Sequence, residues 1–385
     1  MLVMHNVPAD SVFLANKFIG LAQQADVHLL VWDNKQRVQQ FIAANNLQDY
    51  ATHIHIGISA KADAYKDFLP VLKTAMRNSA FRSLLGDKHN LKRAMKYWPV
   101  FQLKPDIIHF EFGTLASDIE WIKKHTGSKL IVSFRGYDLN YIGLTDSAYY
   151  QPVWQYADGL HFLGNDLRSR AIRRGYKADK QEAIIPPAID TNFWKPGLQS
   201  KQNEKLQIVS TGRLTWKKGY EYAIAAMKLL KDKGVPFEYR IIGEGNHRQA
   251  LEYAIYENNL QDCVWLCGSK LPLEVLEQLQ KADVFLHSAI SEGFCNAVIE
   301  AQACGLPVVC TDADGLAENI ADWVTGFVVP KWNANAMAEK LQWCADNKNM
   351  LTQIGAEGVK RVNEKFRIED QLTSFLNFYR VVHES

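Results

Sequence analysis

The sequence contains no apolar run approaching the roughly 20 residues that span a bilayer, and it carries no large excess of either charge. Its 44 lysines and arginines stand against 42 aspartates and glutamates, a net charge of +2. Nothing global therefore argues for a polyanionic partner, and nucleic acid is not expected. Cysteine is scarce and confined: all six lie at or beyond Cys263, and none forms a C-x-x-C pair. Cys263 and Cys267 sit four apart without a second pair or a histidine cluster nearby, so neither a zinc ribbon nor a disulfide framework is expected. The first residues, "MLVMHNVPAD", lack the basic start and long apolar centre of a secretory signal. A reducing cytoplasm is the expected compartment. No repeat of solenoid period and no low-complexity tract interrupts the chain.

What is present is a soluble globular composition in 385 residues, longer than one core ordinarily supports, so two domains are expected. Apolar runs alternate with amphipathic helical stretches. The first half holds "VHLLVW", "DIIHFEF", "KLIVSF" and "GLHFLG"; the second holds "LQIVSTG", "FEYRIIGEG", "VFLHS", "LPVVCTD" and "GFVVP". Continuous apolar runs mark strands covered on both faces, hence parallel sheets in an α/β protein. The polar "WKPGLQSKQNEKL" (Trp194 to Leu206) reads as a linker. The expected domains are residues 1–195 and 196–365. In residues 366–385, Ile368, Leu372, Phe375, Tyr379 and Val382 fall on one helical stripe. This helix either caps its own domain or packs back on the first, and it is assigned to the first.

The most informative stretch is "SAISEGFCNAVIEAQACGLPVV", Ser288 to Val309. "ADVFLHS" reads as a buried strand, and "NAVIEAQACG" as a helix stopped by Gly305 and Pro307. The loop "ISEGF" thus joins a strand's carboxyl end to a helix start, the place where open α/β sheets bind ligands. The first-turn N–H groups and the helix dipole favour an anion such as phosphate. Gly293 lets a ligand approach the backbone. Glu300, about one turn into the helix, can reach back to accept two hydrogen bonds from a ribose diol. In "STGRLTWKKGYEYAIAAMKLL", Arg213 and Lys218 occupy a strand-to-helix loop. Arg213 can fork onto phosphate oxygens, and Lys218 can add a point charge. Together they can neutralise a leaving diphosphate without a metal. "IIGEG" places Gly243 in a tight turn after a strand, without the third glycine of a dinucleotide fingerprint.

In this order and spacing, "GRLTWKKG", "IIGEG", "SEGFCNAVIEAQACGLPVV" and "DGLAENIADWVTGFVV" resemble the C-terminal half of retaining glycosyltransferases of family 4, closely over about residues 206–330. The resemblance implies a GT-B fold: α/β, two Rossmann-like parallel-sheet domains facing across a cleft. It implies that Arg213 and Lys218 grip the donor diphosphate, that Glu292 contacts the donor sugar and that Glu300 contacts the ribose. Gly293, Phe294, Cys295 and Asn296 would line the sugar and phosphates, with Gly243 bordering the same site. The loop "CGSKLPLEV", with Lys270 and Leu271, would select the base. Transfer with retention would follow a front-face path in which the departing phosphate accepts the acceptor's proton. No cofactor beyond the nucleoside-diphosphate sugar and no metal is expected.

The N-terminal half resembles the family more loosely. "KPDIIHFEFG" carries Glu111 where a second histidine is usual. "SFRGYDLNYIG" carries Arg135 in place of the loop histidine, with Gly136 and Asp138 kept. His109, Arg135 and Asp138 are the candidates for the acceptor or sugar side. Arg135 is a poor base because it stays protonated; it either offers a cation there or makes a structural ion pair, with Asp138 as the nearest candidate. His109 either lines the cleft or is a satisfied core histidine. "HNVPADSVFLANKFIGL" resembles the subset that builds extracellular polysaccharides.

Asp312-Ala313-Asp314 spells a metal-binding D-x-D of another transferase fold, but it follows a strand and precedes "GLAEN", the ordinary loop of this architecture. Residues 71–104 hold Lys73, Arg77, Arg82, Lys88, Lys92, Arg93, Lys96 and Lys104 against Asp87. They read either as basic amphipathic helices for anionic lipid at the inner face of a membrane, useful for a lipid-linked acceptor, or as a solvated face beside the acceptor cleft. The expected partners are a nucleotide sugar and a glycan or lipid-linked acceptor. The alternatives are a sugar-nucleotide epimerase or a phosphorylase of the same fold, or a non-catalytic binder of glycans or nucleotide sugars.

Overall fold

The structure is a computed structural model, and it describes residues 1–5, 12–57, 68–86, 88–197 and 204–385. Part of the expected linker, the loop after the first strand, and Asp87 lie outside the described residues.

The chain divides into two compact units. Unit 1 comprises Met1–Phe162, Arg168–Ile185 and Leu372–Ser385, and unit 2 comprises Leu163–Leu167 and Pro186–Gln371. Each is built on a wholly parallel sheet. In unit 1 the strands are β1 (Leu2–His5), β2 (His28–Val31), β3 (Ile54–Ile56), β4 (Ile107–Phe110), β5 (Lys129–Phe134), β6 (Gly159–Phe162) and β7 (Gln181–Ile184), in the order β3-β2-β1-β4-β5-β6-β7. Unit 2 holds β8 (Leu206–Thr211), β9 (Phe237–Ile242), β10 (Val264–Leu266), β11 (Val284–His287), β12 (Val308–Thr311) and β13 (Gly326–Val329), in the order β10-β9-β8-β11-β12-β13. Both orders run outward in two directions from a central pair, the doubly wound pattern of Rossmann-like sheets. The reversal falls between β1 and β4 in unit 1 and between β8 and β11 in unit 2. Ligands of such sheets bind beyond the strands' carboxyl ends at that point.

The central strands are buried throughout, as β4 and β11 show at all four of their positions. Helices on either side supply the matching apolar stripes. The helix Tyr220–Asp232 buries Ala223, Ile224, Met227 and Leu230, the 3.6-residue spacing of one face. The terminal helix Ile368–Glu384 buries Leu372, Phe375, Phe378, Tyr379 and Val382, and its residues from Leu372 onward belong to unit 1.

Candidate active site

The unit 2 switch point is formed by the loops that leave β8 and β11. After β8 the chain makes a short turn, Trp216–Lys218, and enters the helix Tyr220–Asp232 through Gly219 at φ 61°. A side chain there would bring its Cβ within 2.3 Å of the Ser288 carbonyl oxygen, so glycine allows the two loops to touch. They are stitched together by Ile290 N–H to the Lys217 carbonyl (2.8 Å) and Ser288 Oγ to the Lys218 carbonyl (3.0 Å). Gly243, at the end of β9, packs its α-carbon so closely that an added Cβ would lie 2.0 Å from the Gly212 carbonyl oxygen.

This stitching brings Lys218 and Glu292, 74 residues apart, into a direct ion pair between Nζ and Oε2. Both side chains are nearly enclosed, 12% and 13% exposed. His287, the last residue of β11, places Nε2 3.5 Å from Lys218 Nζ and 3.7 Å from Glu292 Oε2. Cys295 Sγ is 3.4 Å from the same nitrogen. Burial alone would push the Glu292 carboxyl up, but the Lys218 ammonium and His287 outweigh it and hold it well below the usual range. The Lys218 ammonium loses solvation on burial, yet Glu292 and Cys295 more than compensate and raise its pKa. The Cys295 thiol, desolvated, is nonetheless pulled down by His287 and Lys218. His287, Glu292 and Cys295 offer ligand atoms within 4.8 Å of one another, but the Lys218 ammonium already stands among them as the neutralising cation.

The helix Asn296–Ala303 begins immediately after this cluster, and no side chain caps its start. Asn319 fixes that start instead: its Nδ2 donates to the Cys295 carbonyl (2.9 Å), and its Oδ1 accepts the Cys295 N–H (3.4 Å). Glu300 lies one turn into the helix, and its carboxyl makes no hydrogen bond or ion pair among the described residues. Desolvation alone pushes it up to about 7. Arg213 is exposed on the β8 loop, near enough for its charge to act on both Lys217 and Lys218.

The structure therefore brings together Lys218, Glu292 and Cys295 and surrounds them with Arg213, Gly293, Phe294, Asn296 and Glu300 on the same two loops and helix. Residues 191–361 match the family model of the glycosyl transferases group 1. Among curated relatives, the amylovoran biosynthesis glycosyltransferase AmsK of Erwinia amylovora is 32% identical over 241 residues, 60% of this chain and 59% of that protein. The putative colanic acid biosynthesis glycosyltransferase WcaL of Escherichia coli K12 is 33% identical over 56% of this chain and 54% of its own length. The chain thus spans about half the length of the curated relatives it matches. Among solved structures, HepE of Anabaena in complex with UDP superposes with a TM-score of 0.76 at 14% identity, covering 99% of both chains. A sucrose-phosphate synthase of Thermosynechococcus elongatus gives 0.76 at 17% identity over 99% of this chain and 98% of that one. The fold is GT-B.

Elsewhere in unit 2, Leu271 is 71% exposed and caps the helix Pro272–Lys281 through its N–H to Glu274 (2.8 Å). Its neighbour Lys270 pairs with the same glutamate at 3.7 Å. The D-x-D carboxylates hold the local backbone. Asp312 accepts the Lys331 N–H (2.8 Å), while Asp314 accepts the Ser291 hydroxyl and, at 3.2 Å, the Glu292 N–H. Asp314 thereby positions the Glu292 backbone, a task the sequence did not single out.

In unit 1, Glu111 follows β4 and Arg135 follows β5. They pair with each other, and Glu111 also takes Lys17 from the helix Val12–Ala22. Arg135 therefore makes a structural ion pair, one of its two readings, but Asp138, the partner suggested for it, is not the one it takes. Asp138 is fully buried and accepts the backbone N–H groups of Thr114 (3.2 Å) and Arg135 (3.1 Å), bracing the loop. The Arg135 guanidinium is stacked over Phe13, 4.5 Å from the ring centre. His109 has no exposed surface. It bonds Tyr379 Oη (2.8 Å) and Ser133 Oγ (2.7 Å), and Ser133 in turn bonds His161 (2.7 Å). His109 is thus a satisfied core histidine with no face to offer a sugar.

Two functional candidates escaped the sequence reading. His287 was hidden as the polar end of an apolar strand, and Lys17 was the one ionisable residue of a mostly apolar helix, Val12–Ala22. Both patterns were visible, and a lone ionisable group on a buried face is a signal that it has a partner.

The basic stretch 71–104 forms four short helices, Phe68–Arg77, Ser79–Leu85, Lys88–Lys96 and Trp98–Leu103. Arg93 and Lys96 both bond Asp118, at 3.0 and 2.9 Å, and Arg82 bonds the carbonyls of Ala75 and Met76. Lys73, Arg77 and Lys104, with Trp98 and Phe101, line a cavity of about 450 Å³.

Proposed function

We propose that the protein is a retaining glycosyltransferase that moves a sugar from a nucleoside-diphosphate sugar to an acceptor hydroxyl in cell-surface polysaccharide or glycolipid synthesis. The observation that carries this reading is the enclosed Lys218–Glu292 pair at the unit 2 switch point, beside an uncapped helix start and an unpaired Glu300. The helix start and Lys218, with Arg213 adding its fork, would neutralise the diphosphate as it departs. Glu292, held ionised, would accept hydrogen bonds from the donor sugar while Lys218 bridges it to the phosphates. Glu300 would accept the ribose diol. With no second carboxylate placed as a nucleophile in this cluster among the described residues, the departing phosphate would take the acceptor's proton on the same face. The acceptor, a glycan or a lipid-linked glycan, would be recognised by unit 1. Its basic helices would rest on anionic lipid, and the protein would work at the inner face of the membrane.

A thermal-shift screen against UDP-, GDP-, ADP- and CMP-sugars tests the donor site. A ligand at a hundred times its dissociation constant adds about 2.7 kcal/mol of stability. Stabilisation by one nucleotide series in the wild type, lost in Glu300→Ala and Lys218→Ala, is the expected result. Turnover in those variants should fall at least tenfold; activity near wild type in both would remove the assignment.

A further inference from the structure

Away from the transfer loops, at the amino end of the unit 1 strands, three histidines and an aspartate converge at the edge of the sheet. Asp26 precedes β2, His28 opens it, His53 ends the turn Gln48–His53, and His55 lies within β3. The register of β2 on β3 pairs Leu30 with His55. His28, two residues before Leu30, therefore shares a face with His55. His28 Nε2 stands 3.1 Å from Asp26 Oδ1, and its Nδ1 stands 3.0 Å from His55 Nε2. The His53 ring stacks on His28 with centroids 4.9 Å apart and planes 28° apart. One ligand atom from each of Asp26, His28 and His53 falls within 4.8 Å of the other two.

From this geometry we infer that Asp26, His28 and His53 form a binding site for a divalent transition metal of the zinc class, with His55 as the outer partner that orients His28. Two ligands about 2.1 Å from a tetrahedral zinc stand about 3.4 Å from each other. The 3.1 Å between Asp26 and His28 already matches that edge. A small turn of the half-buried His53 ring completes a third position, and solvent reaches the fourth through the exposed Asp26. With an ion bound in place of the Nε2 proton, His28 Nδ1–H would donate to His55 Nε2 at 3.0 Å, as outer partners of metal-bound histidines generally accept. The Nδ1 of His53 lies 3.3 Å from the Thr52 hydroxyl, which leaves its Nε2 for the ion. Imidazole with carboxylate suits zinc, nickel or copper and not magnesium. The ion would tie the start of β2 to the turn before β3, adding to the ladder that already joins the two strands. Because the strands are parallel, it lies at the opposite end of this sheet from Glu111 and Arg135, so its effect would be on stability and not on transfer.

The test is a zinc titration of protein purified without a polyhistidine tag, at pH 8, against a chromophoric chelator, with magnesium as control. The expected result is one zinc per chain and no effect of magnesium. His28→Gln/His53→Gln should lose more than the ten- to hundredfold that removal of an outer partner costs, and His55→Gln should lose about tenfold. Circular dichroism should show both variants folded. Cys295→Ser should bind as wild type, which separates this site from His287, Glu292 and Cys295. Equal zinc affinity in wild type and the double histidine variant, or no stoichiometric uptake by wild type, would overturn the inference.

Discussion

Lys218→Met removes the ammonium from beside Glu292 while keeping the length and apolar stem of the side chain. The carboxylate it leaves is 13% exposed, with His287 at 3.7 Å and the Lys217 charge nearby too weak or too distant to replace the direct pair. Breaking an enclosed pair from one side costs about 3–5 kcal/mol, and partial exposure puts this pair at the lower end, about 3. For a unit of this size, each kcal/mol moves the midpoint by about 2–4 °C, so a drop of roughly 6–12 °C is expected. The pH dependence has a definite sign. Glu292 is held below its ordinary range, so the pair's stabilisation is fully present above the unfolded carboxylate pKa of about 4.3 and is lost as pH falls through the folded value. The gap between wild type and Lys218→Met should therefore be widest near neutrality and narrow in acid. Adding Glu292→Gln to Lys218→Met should restore most of the stability, because no charge is then stranded, yet transfer should stay at least tenfold down. Urea and thermal unfolding of the three proteins from pH 3.5 to 8, beside initial transfer rates, decide it. A double variant no more stable than the single would show that the pair is not coupled. A Lys218→Met enzyme of near-normal rate would sink the donor role.

Other outcomes follow from the same structure. Glu300, pushed up to about 7 by burial, should bind the ribose diol best when ionised. Donor affinity by calorimetry should thus rise between pH 5.5 and 8 in wild type and stay flat in Glu300→Gln; equal slopes would refute the ribose role. Glu111→Gln strands the Lys17 ammonium, 4% exposed, beside Arg135, and should cost about 3–5 kcal/mol of stability in denaturant; a loss below about 1 kcal/mol would mean the network is not under load. Co-flotation with anionic vesicles should be clear at low salt, since each surface cation is worth about 1 kcal/mol there, and should weaken in Lys73→Gln/Arg77→Gln; no binding at low salt ends the membrane reading.

Parallel sheets were legible because buried strands must be apolar on both faces, and nine of them stood out as runs such as "DIIHFEF" and "LPVVCTD". The four that did not stand out share a physical reason. β3, β7 and β10 are edge strands, short or partly polar, as "QEAI" illustrates. β1 is only "LVMH", too brief to be distinguished locally, although it occupies the middle of its sheet. Site residues on loops that follow apolar strands were likewise visible one by one, because glycine, arginine, lysine and glutamate at those corners have few other uses.

Pairing was not visible. Sequence alone determined the α/β class and the chemistry available at each strand end, since both depend on local pattern and side-chain type. Only the tertiary structure decided that Lys218 meets Glu292, that Arg135 answers Glu111 and not Asp138, and that His109 is sealed in the core. Those outcomes depend on strand order and loop contact between residues tens of positions apart. They also depend on the cost of burying a charge, which forces each one to find whatever partner the fold brings within reach.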